Sequence, residues 1–268
     1  MNVEGKRILI TGGSSGIGLA TAQALIAKGA RVCITGRRQE LVETALTTLR
    51  DAGGEAAGIS ADVATDDGRR KTLQGALAFL GGLDILINNA GAVRAGSLED
   101  ISEQEVRTMI DVDLVAPILL TRAALPSLRA SGDGLVVNIA SGIALIGMPF
   151  YTTYAAVKAG LAHFGEALRR ELNGEGVRVL TVYPGATDTP MMTSSHAGPD
   201  LGFTREPPTA VADALVAGIE SQSLEVIRGG VQRAAMIAQN RSDPAVLDQR
   251  FLEMKALLAD AVRNHKAL

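Results

Sequence analysis

Three residues in the middle of the chain have the types and spacing of a proton-transfer unit: Ser141, Tyr154 and Lys158. Tyr154 and Lys158 are four apart, so on a helix they share one face with Cβ atoms about 5–6 Å apart. A free tyrosine ionises near pH ~10 and is a poor acid or base at neutrality. A neighbouring ammonium favours the phenolate and lowers that value, which is what Lys158 is placed to do. Ser141 comes just after the apolar run LVVNIA, which reads as a buried strand. A strand end followed by a helix brings hydroxyl and phenol to one carbonyl oxygen. Taken alone, a Tyr and a Lys at this spacing are more often an ordinary surface pair, so the reading depends on what surrounds them.

The surroundings begin with a strand, a glycine loop and a helix. RILIT (Arg7 to Thr11) runs into GGSSGIG, and apolar residues then recur at helical spacing to Gly29. In that context Gly12, Ser14, Ser15, Gly16, Ile17 and Gly18 form a loop whose backbone N–H groups can meet a pyrophosphate at a helix N-terminus. The spacing is G-x-x-x-G-x-G rather than the common G-x-G-x-x-G. The next strand, RVCIT, ends at Gly36 and is followed by Arg37 and Arg38. An acidic residue there would select NAD through its ribose hydroxyls, whereas arginines can pair with a 2′-phosphate, so NADP is favoured and NAD is the alternative. Cys33 on that strand reads as packing. Asp62 and Val63 follow a weaker strand. Asn88, Asn89, Ala90 and Gly91 follow another, where Asn side chains can tie strand ends together and Ala-Gly admits a close ligand.

Strands and helices alternate to the end, which predicts an α/β fold with a doubly wound parallel sheet and helices on both faces. Ile101 to Leu128 reads as one long helical region, kinked at Pro117. Val177 to Tyr183 is a further strand, closed by Pro184, Gly185, Thr187 and Thr189. Residues 191–208 form an irregular stretch of lid length, and 243–264 a C-terminal helical extension opened by Asp243-Pro244. No linker or repeat divides the 268 residues, so one domain is expected. Ligands of such sheets bind at the carboxyl ends of the strands, where six of these polar or glycine motifs converge.

Composition narrows the partners. A net charge of −3 without blocks of Lys and Arg argues against nucleic acid. No apolar run reaches the roughly 20 residues that span a bilayer, and the amino terminus carries no long apolar segment. With one cysteine the chain has no internal disulfide, and a cytoplasmic setting is expected. The three histidines lack ligand spacing, so no metal is expected.

Together, TGGSSGIG (11–18), NNAG (88–91), Ser141, YAAVK (154–158) and PGATDT (184–189) resemble the short-chain dehydrogenase/reductase family over about Lys6 to Pro190. The resemblance implies a seven-stranded Rossmann fold and hydride transfer with NAD or NADP. It implies that Tyr154 exchanges a proton with the carbonyl oxygen, that Ser141 holds that oxygen, and that Lys158 lowers the tyrosine pKa and binds the nicotinamide ribose. Asn89 with Asp62 and Val63 would line the adenosine half, and Thr187 and Thr189 would orient the carboxamide. Many members carry an asparagine where this chain has Asp113, as a fourth catalytic residue holding a water. An aspartate there keeps a backbone carbonyl for that water and adds a charge that draws Lys158. The family often forms tetramers, so a homo-oligomer, dimer or tetramer, is expected.

The expected substrate wall is Ile143, Met148, Phe150, Met191 and Met192, with His196 on the lid. It is apolar and adaptable. No cluster of arginines faces it in sequence, so a neutral, partly hydrophobic ketone or secondary alcohol is expected. Tyr151 reads as non-catalytic, because Ala155 rather than lysine stands four residues on. The alternative is a catalytically silent NADP(H)-binding sensor or scaffold. A hydrolase using Ser141 lacks the G-x-S-x-G elbow.

Overall fold

The computed structural model describes all 268 residues. The chain builds β1 (Arg7–Thr11), α1 (Gly16–Ile26), β2 (Arg31–Gly36), α2 (Gln39–Asp51), β3 (Ala56–Ser60), α3 (Asp66–Leu80) and β4 (Ile85–Asn88). After a two-residue β5 (Val93–Arg94) come α4 (Glu103–Ile110), α5 (Ala116–Ala130), β6 (Gly134–Ile139), α6 (Thr152–Glu171) and β7 (Val177–Tyr183). The last third holds α7 (Pro208–Glu220), β8 (Glu225–Ile227), α8 (Gly230–Ser242), α9 (Pro244–Val262) and β9 (Lys266–Ala267). Seven strands make one parallel sheet in the order β3-β2-β1-β4-β6-β7-β8. The chain winds outward from β1 to β3, then returns to β4 on the other side of β1. That reversal opens a crevice beyond the carboxyl ends of β1 and β4.

Both faces of the sheet are covered, so its strands are apolar on both sides. Alternate residues divide the core. Ile8, Ile10, Val32, Ile34, Ile85 and Ile87 pack on one face with Leu25 of α1 and Leu215 of α7. Leu9, Cys33, Leu86 and Val136 pack on the other with Leu80 of α3, Leu120 of α5 and Leu168 of α6. Burial pushes the Cys33 thiol up to about 12, so it stays neutral packing material.

The expected long helix over 101–128 is divided. A wide π-type turn at Asp111–Val115 joins α4 to α5. Pro117 follows that turn closely and lacks the N–H that would pair with a carbonyl of the turn before it. The irregularity is thus a widened turn just before the proline, and Asp113 within it is fully buried. The helical extension expected over 243–264 is α9, and the carboxyl-terminal part holds more than that. It has α8 as well as α9, and β9 pairs antiparallel with β5. The 191–208 stretch contains two single helical turns and is tied to this end of the chain. The His196 N–H donates to the Ala261 carbonyl at 2.9 Å, and Ser194 Oγ lies 3.1 Å from His265 Nδ1. No helix is long and apolar enough to cross a membrane.

Candidate active site and cofactor groove

Ser141 leaves the end of β6 with extended backbone, and its Oγ accepts the Ile143 N–H at 3.3 Å. Tyr154 and Lys158 lie one turn apart on α6, with Lys158 Nζ 5.7 Å from the centre of the Tyr154 ring. Lys158 Nζ donates to the Ile139 carbonyl at 3.0 Å and sits 2.9 Å from Asp113 Oδ1. The other Asp113 oxygen accepts the Ala92 N–H at 3.1 Å. Lysine and aspartate are both buried. Ser141, Tyr154 and Lys158 border one cavity of about 150 Å³ with Ile143, Met148, Met191 and Met192.

A larger groove of about 790 Å³ adjoins it, the two sharing Ile17, Thr189 and Met191. Gly12, Ser14, Ser15 and Gly16 form its floor at the helix N-terminus. Arg37, Arg38, Asp62 and Val63 stand at one end, and Asn89, Ala90 and Gly91 along the side. The asparagines brace this edge as the sequence suggests. Asn89 Nδ2 donates to the Thr11 and Gly12 carbonyls at 2.9 and 3.1 Å, and Asn88 Nδ2 to Asn138 Oδ1 at 2.9 Å. Gly18 lies behind the floor: a Cβ there would stand 2.4 Å from the Gly12 carbonyl oxygen. A cavity of about 440 Å³ at the opposite edge, bordered by Gly132, Asp133 and Gly176, gathers none of the expected residues.

The family model described as short chain dehydrogenase matches residues 6–200. This chain belongs to the short-chain dehydrogenase family. The ketoacyl reductase HetN of Nostoc sp. strain PCC 7120 is 36% identical over 227 residues, 84% of this chain and 79% of HetN. A short chain dehydrogenase from Burkholderia cenocepacia, solved in complex with NADP, superposes with a TM-score of 0.77 at 33% identity, covering 86% of this chain and 98% of that one. A single-substitution variant of actinorhodin polyketide ketoreductase, solved with NADPH, gives a TM-score of 0.76 at 27% identity, covering 84% of this chain and 96% of that one.

Within this short-chain dehydrogenase the charges around Tyr154 are coupled. Burial pushes its phenol up, the Lys158 ammonium pulls it down, and the Asp113 carboxylate opposes that pull; the net direction is upward. Burial works against the Lys158 ammonium, but Asp113 and Tyr154 outweigh it and hold the lysine above its ordinary value. Burial likewise raises the Asp113 carboxyl, against the pull of Lys158. An asparagine would carry no charge in this arrangement.

Most expected residues meet. Pro184, Gly185 and Thr187 border the smaller cavity beside Tyr154 and Lys158, and Thr189 borders both. Of the expected substrate residues, Phe150 does not border it. Its backbone is left-handed (φ 67°), its carbonyl accepts the Gly96 N–H, and its ring packs against the cluster around Val93 and Tyr151. Tyr151 borders the cavity instead. His196 is exposed on the surface, and it is His265 that reaches the cavity. Sequence reasoning missed Phe203, Arg233 and His265, which all border it. No local motif marks them; only the path of the last third of the chain places them there. Arg233 also bears on the expectation of a neutral substrate, which assumed that no arginine faces the site. No group of three metal-binding side chains is gathered anywhere.

Proposed function

We propose that this short-chain dehydrogenase transfers hydride between NADP(H) and a partly hydrophobic ketone or secondary alcohol. The observation that carries the reading is the shared cavity. Ser141, Tyr154 and Lys158 border a small apolar space that opens into a groove of dinucleotide size.

The fit to the cofactor rests on this chain's own residues. The glycine floor leaves backbone room: a Cβ at Gly12 would stand 2.9 Å from Ala90 Cα, and one at Gly16 3.1 Å from the Thr189 side chain. The loop presents N–H groups to a pyrophosphate at the start of α1. Arg37 and Arg38 are exposed at the β2 end of the groove and suit a 2′-phosphate. Thr187 borders the smaller cavity and Thr189 both, where they would meet the carboxamide.

When bound, the nicotinamide supplies or accepts the hydride. In the reducing direction Tyr154 gives its proton to the carbonyl oxygen and Ser141 donates a hydrogen bond to that oxygen. Lys158 stabilises the phenolate left on Tyr154, and Asp113 holds the lysine protonated and in place. In the oxidising direction the Tyr154 phenolate takes the hydroxyl proton. The same reading makes the active form a homodimer or homotetramer, whose mass light scattering would give.

Steady-state oxidation of NADPH and NADH with a panel of ketones, with Tyr154→Phe beside the wild type, tests the proposal. Faster turnover with NADPH is expected, with a loss of roughly 10²–10⁴-fold in the variant. Faster turnover with NADH would overturn the cofactor preference. Tight NADPH binding without turnover in either direction would make this a silent cofactor-binding protein, a reading that the assembled Ser141, Tyr154 and Lys158 disfavour.

A further inference from the structure

The substrate cavity is unbalanced in charge. No Asp or Glu borders it; its ionisable neighbours are Tyr151, Tyr154, Lys158, Arg233 and His265. Lys158 is matched by Asp113 at 2.9 Å. Burial and the nearby Arg205 and Arg94 push His265 down to about 4, so it is neutral at physiological pH. Arg233 is left as the one uncompensated charge.

Nearby arginines are engaged and Arg233 is not. Arg228 pairs with Glu206 at 2.6 Å, and Arg205 donates to the Ser195 carbonyl at 2.7 Å. The Arg233 guanidinium makes neither a hydrogen bond nor an ion pair, although it is half-buried, and burial weakens its hold on its proton. A partly desolvated cation with no counter-ion is costly, and an anion supplied by a ligand removes that cost. Its position says which part of a ligand it would meet. A Cβ built on Gly142 would stand 3.2 Å from the guanidinium carbon, and Gly142 is the residue after Ser141. Consecutive Cα atoms are about 3.8 Å apart. Ser141 and Arg233 also border the same cavity of about 150 Å³, so one short ligand can place an anion on Arg233 and an oxygen on Ser141.

We infer that Arg233 is a specificity residue that binds a carboxylate of the substrate, so that the preferred substrate is a 2- or 3-oxo acid, or the corresponding hydroxy acid, with an apolar remainder. The inference rests on the oxidoreductase reading above and names its substrate class. A guanidinium fits a carboxylate by two parallel N–H···O bonds, which an ester cannot accept with the same charge. The Tyr151 and Phe203 rings and the methionine side chains are left to surround the remainder.

The test uses benzoylformate, 2-oxohexanoate and 3-oxohexanoate, each against its methyl ester, with NADPH, in wild type, Arg233→Met and Arg233→Lys. The acid-to-ester ratio of kcat/KM is expected to exceed one in wild type and to fall at least tenfold in Arg233→Met, mainly through KM. Arg233→Lys should recover part of it. Calorimetric titration of the protein–NADP⁺ complex with the same acids and esters gives a readout free of turnover. Loss of acid binding in Arg233→Met, but not in Arg233→Lys, is expected. Tyr154-dependent reduction of the esters with no advantage for any acid would overturn the inference and leave the oxidoreductase reading intact. Arg233-dependent acid binding with no reduction of any compound would do the reverse. Acid binding that ignores Arg233, or no acid binding at all, overturns the inference.

Discussion

The cofactor groove and the substrate cavity meet at Ile17, Thr189 and Met191, yet they are built by different means. Most of the groove comes from short motifs at strand ends, each a few residues past β1, β2, β3 or β4. It rests on the sheet, whose two faces carry core clusters of 23 and 14 buried residues. The cavity is assembled from segments far apart in sequence: Ser141 after β6, Tyr154 on α6, Phe203 in the stretch before α7, Arg233 on α8 and His265 before β9. Its wall rests on a cluster of 7 buried residues, and α8 has no fully buried side chain. Backbone geometry thus fixes the half that fits the cofactor, while the half proposed to take the substrate depends on distant segments, among them the thinly anchored α8.

Hydrogen exchange is the most direct way to break this contrast. Amides of α8 and α9 are expected to exchange through local opening, and those of β1 and β4 only through global unfolding. With a global stability of about 5–15 kcal/mol, protection should differ by roughly a thousandfold or more. Equal protection would mean that the carboxyl-terminal helices are part of the main cooperative unit, and the contrast would fail.

The joint between the regions is the Asp113–Lys158 pair. Removing one partner of a buried ion pair costs about 3–5 kcal/mol, so Asp113→Ala should lower the melting temperature sharply. Asp113→Asn keeps the shape and removes the charge. Provided the Ile139 carbonyl and the phenolate keep Lys158 protonated, its ammonium then acts on Tyr154 unopposed and the phenolate is favoured. The rising limb of the pH profile for alcohol oxidation, which needs the phenolate, should move to lower pH. An unmoved profile would show that the Asp113 charge does not reach the phenol. A limb moved to higher pH would show that the lysine needs Asp113 to hold its proton.

The same contrast governs what the sequence reveals. Gly12, Gly16, Asn89, Tyr154 and Lys158 are legible because their spacing is their geometry, set by a loop, a strand end or a helical turn. The parallel sheet is legible because strands buried on both faces are continuously apolar. Asp113 is legible as a position and as a charge that draws Lys158, but the π-type turn that buries it has no periodic signal. Arg233 and His265 are illegible, because only the return of β9 to β5 and the placing of α8 beside Gly142 bring them to the cavity. Phe150 differs from its expected place for a related reason: Met148 and Tyr151 border the cavity, whereas Phe150 packs on the cluster behind that wall.

The groove can be sharpened at Arg37 and Arg38. A charge-assisted hydrogen bond contributes about 1.5–3 kcal/mol, so the double alanine variant should lose roughly 10–100-fold in preference for NADPH over NADH. Arg37 also donates to the Leu268 carbonyl at 2.8 Å, so the last residues border the groove as well as the cavity. Arg38 makes no such contact, and Arg38→Ala alone should change cofactor preference without disturbing that end of the chain. A double variant with its preference intact would move 2′-phosphate recognition away from this end of the groove.

His265 gives the smallest expected effect and the finest separation of the two regions. Its pKa is pushed down from 6.5 to about 4 by burial and by Arg205 and Arg94. Because the folded value is the lower one, the unfolded segment takes up a proton first as the pH falls. The stability associated with neutral His265 is present above about pH 6.5 and is lost progressively toward pH 4. At pH 5.5 that amounts to about 1.4 kcal/mol, and His265→Gln should be spared it. Where the loss appears is the informative part. If the carboxyl-terminal segment opens independently, acidification raises substrate KM and speeds exchange in α9 while the melting temperature barely differs between wild type and variant. If the segment is part of the main cooperative unit, the difference appears in the melting temperature instead, and the substrate cavity shares the stability of the sheet beneath it.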